Sequence, residues 1–347
     1  MHAHHCQAWV IFFFLFLLKY KNSSSTVVLN TMYMVFPNDR VNIDAMIELH
    51  SITKSNQMTI KQFANAPKFA KLQILAIAVQ NDDRAAIAQA MQTLINDPAF
   101  ASIAWQTNFA KLQKLFADCM PRFSIFAMDG NNKLPFVSFS TLPGVTCPGA
   151  GDCIDFCYSY RAWRYPAAFA RMVQNAFLMR FAPAVIHAQF TEIAAKQING
   201  FDFRLYVDGD FSCVNDVKFW MNLLHFTPNA RAYGYSKSFA VLLAYDFLYQ
   251  WPTNYQLNIS SGHNASEAMV NYVRALPVTR GEFIAVSIGR KVKSTDHGKP
   301  ETNAAIRKAM GDTKVFPCPG ACGSCTGKGH ACGMPAMKHK IIAIAMH

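Results

Sequence analysis

The chain has 347 residues, 52% of them hydrophobic and only 16% charged, with a formal net charge of +12. That composition excludes a wholly disordered chain, and the length allows two domains or one large domain with additions. Residues 32–120 carry eight Lys or Arg against seven Asp or Glu, whereas residues 121–347 carry twenty-three against fourteen. The positive excess thus lies mainly in the C-terminal two-thirds, a pattern shared by ordinary basic enzymes and by proteins that meet a nucleic acid or another polyanion.

Residues 1–31 contain a ten-residue apolar run at positions 9–18. A bilayer span takes about twenty such residues, so no stable membrane span is expected. A signal peptide fits poorly too, because no Lys or Arg precedes the run and no small-x-small cleavage site follows it. The segment reads as an apolar tail, either a weak membrane segment or a stretch upstream of a true start at Met32 or Met34. Without an export signal, clustered thiols point to metal binding in the reducing cytoplasm rather than to disulfides.

Residues 32–120 read as a helical bundle. Phe69, Leu72, Ala76 and Val79 recur at helical spacing, the Ala-rich stretch 84–90 favours helix, and Asp97-Pro98 marks an internal break. After Pro121 the pattern changes. Strands are expected at 134–140, 203–207, 231–235, 255–260 and 282–288, with a weaker one at 313–316. Helices are expected at 167–181, after Pro166, and at 183–199, closed by Gly200. Ser238 can cap a helix ending before Pro252, and Ser266 one ending before Pro277. The strands recur at the length of a βα unit. Residues 121–347 therefore read as an α/β metal-binding domain, a partial or complete (β/α) barrel of parallel strands, preceded by the small all-helical region. No glycine-rich dinucleotide loop follows any strand, which disfavours a Rossmann domain.

Seven of the ten cysteines fall into two groups. The first is Cys147, Cys153 and Cys157; the second is Cys318, Cys322, Cys325 and Cys332. Both open with Cys-Pro-Gly-Ala, and both follow an expected strand. Proline and glycine force tight turns that draw several thiolates to one point and let backbone N–H groups approach sulfur. The second group can form a complete four-thiolate site for zinc or for an iron–sulfur cubane. The first offers three thiolates, which leaves one metal position open, unless Cys213 supplies a fourth. Seven cysteines thus predict one or two iron–sulfur clusters, with zinc as the alternative.

In a parallel βα array the loops after the strands gather on one face, where active sites lie. Those loops carry the first cysteine group, Asp208 and Asp210, Ser236-Lys237-Ser238, then Asn258, Ser260, Ser261 and His263, and finally Arg290-Lys291. Taken singly, each has a plain structural role as turn former, helix cap or solvated charge. Together they make Asp208, Asp210 and Lys237 catalytic candidates. Ser236, Ser238, Asn258, Ser260 and His263 become cofactor-binding candidates. Another reading makes Asp208 and Asp210 divalent-metal ligands of a hydrolase. Tyr158, Tyr160, Arg161, Trp163, Arg164 and Tyr165 interleave aromatics with cations, either as a nucleic-acid stacking surface or as a helix start packed on the barrel.

Phe139-Ser140-Thr141-Leu142-Pro143 running into Cys147, Cys153 and Cys157-Tyr158 resembles the gene product eighty-eight family of phage and plasmid proteins. Asp208-Gly209-Asp210-Phe211, Tyr235-Ser236-Lys237-Ser238 and the late cysteine group resemble it too. The resemblance covers residues 121–332 or so; it implies a mobile-element origin and no particular reaction. The layout is also distantly similar to radical S-adenosylmethionine enzymes, although their cysteines are spaced by three and then two residues rather than five and three. That similarity implies a redox cluster on Cys147, Cys153 and Cys157, with Asp208 or Asp210 at the amino group of S-adenosylmethionine. Cys318, Cys322, Cys325 and Cys332 would hold an auxiliary cluster. The substrate, a small molecule or a macromolecule, is not implied. A zinc-stapled nucleic-acid-binding protein is the alternative.

Overall fold

The computed structural model describes residues 67–346, apart from 129–134, 291, 294, 324, 327 and 328. The apolar tail, the start of the helical bundle and Lys291 lie outside the described residues. Among the described residues three helices come first: α1 (Pro67–Gln80), α2 (Arg84–Asn96) and α3 (Ile103–Asp118). Asp83 caps α2 by accepting the Ala86 N–H. At the expected break between α2 and α3, Asp97 accepts the Ala99 N–H and Pro98 opens a short 3₁₀ turn. Leu72, Leu94 and Phe109 enter one core with α4 (Pro166–Phe181). There the Trp105 ring meets Phe169 at 6.1 Å, and Phe116 meets Phe177 at 4.9 Å.

Seven strands follow in one sheet: β1 (Val137–Ser138), β2 (Phe201–Leu205), β3 (Ala230–Ser236), β4 (Tyr255–Ser260), β5 (Thr279–Val286), β6 (Phe316–Pro317) and β7 (Ile342–Ala345). Their order is β1-β2-β3-β4-β5-β7-β6, and every neighbouring pair is parallel. The connecting helices are α4, α5 (Pro183–Lys196), α6 (Val214–His225), α7 (Phe239–Leu248), α8 (Glu267–Ala275) and α9 (Pro300–Met310). The sheet curls into a half-barrel, as the βα spacing predicts. β4 occupies the expected residues, whereas β7 is unexpected. Ile342-Ala343-Ile344-Ala345 is a short apolar run with no turn signal after it, and it inserts between β5 and β6, pairing with Phe283 to Val286.

Strand alternation gives the sheet two differently furnished faces. On β2, Phe201, Phe203 and Leu205 enter the helix-side core, joined from β3 by Ala230 and Ala232. The intervening residues Asp202 and Arg204 stand beside Arg231 and Tyr233 in register on the other face. That concave face is covered by the C-terminal segment, where Tyr233 packs in a small core with Phe136, Ala331, Cys332 and Ile342. Among the described residues no helix is long and apolar enough to cross a membrane.

The crossover from β2 to α6 is tied to α4 by an ion pair between Arg180 and Asp216, both nearly withdrawn from solvent, at 3.3 Å. The Ser212 hydroxyl and N–H both donate to Asp216, and Arg180 donates to the Ser212 hydroxyl. Cys213 sits within this cluster: its sulfur lies 3.4 Å from Arg180 Nη1 and 3.7 Å from Asp216 Oδ1. Removing one partner of a buried pair strands the other charge, so Asp216→Ala is expected to lower stability by about 3–5 kcal/mol in urea denaturation. A loss below about 1 kcal/mol would show the pair to be idle.

Candidate functional site

The first cysteine loop is stitched across the mouth of the half-barrel. The Gly151 and Cys153 N–H groups both donate to the Gly262 carbonyl after β4, Asn264 N–H donates to the Gly149 carbonyl, and Ala150 pairs with His263. These contacts are so close that two glycines are obligatory. A Cβ on Gly149 would lie 1.7 Å from the Lys237 carbonyl oxygen, and one on Gly262 would lie 2.8 Å from Cys153 Cβ. Gly209 (φ 81) lets the chain after β2 turn back, with Tyr206 also held left-handed at φ 53. Residues far apart in sequence thereby meet at one end of the sheet.

Asp210 organises the β3 side of this mouth. Its carboxylate accepts the Ser236 hydroxyl at 2.8 Å, the Lys237 N–H at 2.7 Å and the Phe211 N–H at 2.8 Å. Lys237 then reaches Ser260 Oγ at 2.8 Å and interacts with the Cys153 sulfur. Asp208 receives hydrogen bonds from Ser159 and Ser140. Burial pushes both carboxyl groups above the usual carboxylate range, against the pull of those donors. Ser238 does not cap α7 with its side chain: its N–H donates to Ser236 Oγ at 3.0 Å, and its own buried hydroxyl has no partner among the described residues. His263 accepts the Ala265 N–H on Nδ1 at 3.3 Å and packs its ring on Phe239.

The three sulfurs of the first group feel one another. Burial, followed by the charges of Asp210, Cys153 and Cys157, pushes the Cys147 thiol well up, and the Gly144 backbone opposes the rise. Burial raises Cys153 to about 11 while Lys237 pulls the other way. Burial raises Cys157 too, against hydrogen bonds from the Ser159 backbone and hydroxyl. Desolvated thiols of this kind are poor nucleophiles at neutral pH; they ionise when a cation supplies the missing charge.

The second group lies on the concave face, immediately after β6. Cys318 is drawn to β7 by its N–H on the Ala343 carbonyl at 2.7 Å. Burial raises its thiol to about 12, followed by the Cys332, Cys322 and Cys325 charges, while the Gly320 backbone opposes the shift. The Ala331 N–H donates to Cys325 Sγ at 3.2 Å, and Tyr235 bonds the Cys332 sulfur. Tyr233 and Arg204 reach Cys322, the guanidinium Nη1 at 4.0 Å from its sulfur. Asn258 is here a clamp on the protein itself: its amide donates to the Gly234 and Cys332 carbonyls, both at 3.0 Å. Arg280, fully buried, donates to Asn258 Oδ1 at 2.7 Å and to the Lys340 and Met337 carbonyls at 2.6 and 3.1 Å.

Arg204 stands between the two groups. It reaches Cys322 on one side, interacts with Asp208 and Tyr158 on the other, and lies 4.9 Å over the Tyr235 ring. Sequence reasoning missed Arg204, Tyr233, Tyr235 and Arg280. The available signal was their alternation: large polar residues recur at every second strand position, on the face opposite the helix-side core.

None of the nine described cysteines forms a disulfide. As the side chains stand, no three His, Cys, Asp or Glu among the described residues close round a metal ion. The donor chemistry nonetheless fits a thiophilic metal in both places. Sulfurs are gathered from separated positions, N–H and O–H groups are directed at them, and a partnerless buried hydroxyl, Ser238, lies beside the first group.

Fold and site together define a parallel α/β half-barrel with one cysteine group at the mouth of its sheet and another on its concave face. The family model for gene product 88 matches residues 110–338, and the chain belongs to that family. No curated protein and no solved structure matches it.

Proposed function

We propose that this member of a phage-type family is an iron–sulfur protein that performs redox or radical-type chemistry at the mouth of the half-barrel. Cys147, Cys153 and Cys157 would hold the reactive cluster, and Cys318, Cys322, Cys325 and Cys332 an auxiliary one. The observation that carries this reading is the gathering of three thiols at the strand ends, beside buried Asp210 and half-buried Asp208 and Lys237. A cluster with three protein ligands keeps one iron available for chemistry. Asp210 is a positioning residue, since its oxygens hold the Lys237 and Phe211 amides and the Ser236 hydroxyl. Lys237 and Ser260 border the cysteine loop, and Ser238 and Asp208 supply polar groups for a bound cofactor or substrate. S-adenosylmethionine as that cofactor follows from the likeness of layout alone.

Anaerobic purification followed by iron and acid-labile sulfide analysis tests the proposal. A brown protein with both elements is expected. Cys147→Ala/Cys153→Ala/Cys157→Ala should lose about half of the iron and retain the remainder at the second group. A metal-free protein would overturn the reading. The closed four-cysteine set of the second group also suits zinc, which is the second reading; a colourless protein with stoichiometric zinc and no sulfide would establish it.

A further inference from the structure

The turn that follows the first cysteine loop is a 3₁₀ helix from Tyr158 to Arg164. With three residues per turn, side chains at i, i+3 and i+6 stack in one row. Tyr158, Arg161 and Arg164 form such a row, and all three are exposed. The rows behind it face inward. Trp163 is buried against Phe169 at 5.1 Å, and Tyr160 packs on Trp163 at 5.5 Å. The aromatic and basic stretch therefore divides its labour: some residues fasten the turn to the body and the others are presented to solvent. Tyr165 continues the outer surface and is 67% exposed, beside Tyr158 at 53%.

The Tyr158 ring is fixed although it is exposed. Its hydroxyl turns in against the Val207 carbonyl at 3.4 Å, close to Asp208 and Arg204, so the ring forms a held platform directly above the mouth. Along the chain, the charge from the turn onward has one sign. Asp152 and Asp155 precede the turn, but no acid occurs from Asp155 until Glu192, while Arg161, Arg164 and Arg171 do. A held aromatic face at Tyr158 and an exposed one at Tyr165, with the guanidinium groups of Arg161 and Arg164 between them, match a chain of bases and phosphates. A duplex keeps its bases stacked inside and offers these tyrosines nothing to stack upon.

We propose that this row is a docking surface for single-stranded nucleic acid, with bases stacking on Tyr158 and Tyr165 and phosphates paired with Arg161 and Arg164. The strand would thereby lie across the first cysteine group. This deepens the proposed function by naming a substrate class, and it rests on that function only for what happens to the strand after docking.

Fluorescence anisotropy with a labelled oligothymidylate, run on the full chain, tests the inference. The wild-type protein should bind the single strand more tightly than the matching duplex. Arg161→Gln/Arg164→Gln should weaken binding at least about tenfold and lower the slope of log Kd against log salt by about 1.4, the value for two lost phosphate contacts on a single strand. Tyr165→Ala should weaken binding at least about fivefold, the lower end for one lost stacking contact. Lys308→Gln, on the exposed side of α9, should change nothing. Iron and sulfide content of the double Arg variant should equal that of the wild type, so failure of the docking surface is distinguishable from failure of the metal centres. Absent binding, tighter binding of duplex, or equal affinity in wild type and double Arg variant would each overturn the inference.

Discussion

Gly149→Ala should dislodge the first cysteine loop and, under the metal binding proposed above, empty the first centre while leaving the second loaded. The added methyl would sit 1.7 Å from the Lys237 carbonyl oxygen, 2.4 Å from its carbon and 2.9 Å from the Ser238 nitrogen. All three are backbone atoms at the end of β3, pinned by Asp210, so no side-chain rotation can relieve the clash. Either the loop or the β3–α7 turn must move. The loop is the weaker party, because it is held by a few backbone hydrogen bonds to Gly262 and Asn264, whereas β3 is paired on both sides. Overpacking against a fixed backbone costs about 3 kcal/mol, comparable to what those bonds return. Gly320, at the same place in the second Cys-Pro-Gly-Ala, provides the comparison. There glycine is required for its left-handed φ of 74, and the nearest atom to an added Cβ is the His297 side chain at 3.1 Å. Gly320→Ala should cost about 1–2 kcal/mol and spare the first centre. Separate iron and sulfide analyses of the two variants, with thermal melts, check both expectations. Full iron in the Gly149 variant would show that the loop contact with β3 is not what positions the cysteines.

The contrast between the two motifs shows what a sequence discloses and what it withholds. Two identical tetrapeptides announce two thiol groups, and βα spacing announces a parallel half-barrel, because both depend on local chemistry and periodicity. The mouth was legible for the same reason: residues at or just beyond the ends of parallel strands must gather at one end, and Asp208, Asp210, Lys237, Ser260 and His263 do. Asn258, offered as a cofactor-binding residue alongside Ser260 and His263, lies inside β4 with its amide on the C-terminal segment, whereas Ser260 ends that strand and His263 lies in the loop beyond it. Cys213 was offered as a ligand and lies with Arg180 and Asp216. Neither placement was readable, since each depends on a partner dozens of residues away. β7 escaped for a related reason: a strand that enters the sheet out of sequence order has no local rhythm to betray it.

Arg280→Met is expected to release the segment that carries the second cysteine group, with a stability loss of about 3–5 kcal/mol. Arg280 is completely buried on β5, and its four hydrogen-bond acceptors are neutral oxygens: Asn258 Oδ1 and the carbonyls of Met337, Lys340 and Glu282. Methionine would fill much of the volume and remove the cost of burying a cation, but it would leave those acceptors without a donor. Each orphaned acceptor costs about 1–3 kcal/mol, and the costs overlap because the segment can shift to find water. That shift is the functional point. Met337 and Lys340 lie between Cys332 and β7, so a segment loosened there carries Cys332 away from Tyr235 and the other three sulfurs. The variant should therefore become open to protease cleavage between Pro317 and Ile342 and, under the proposed metal binding, lose metal from the second cysteine group while keeping it at the first. Urea denaturation, metal analysis and limited proteolysis read the three effects independently. A stable, protease-resistant variant with wild-type metal would mean that the cysteines themselves, not the buried guanidinium, hold the segment against the sheet.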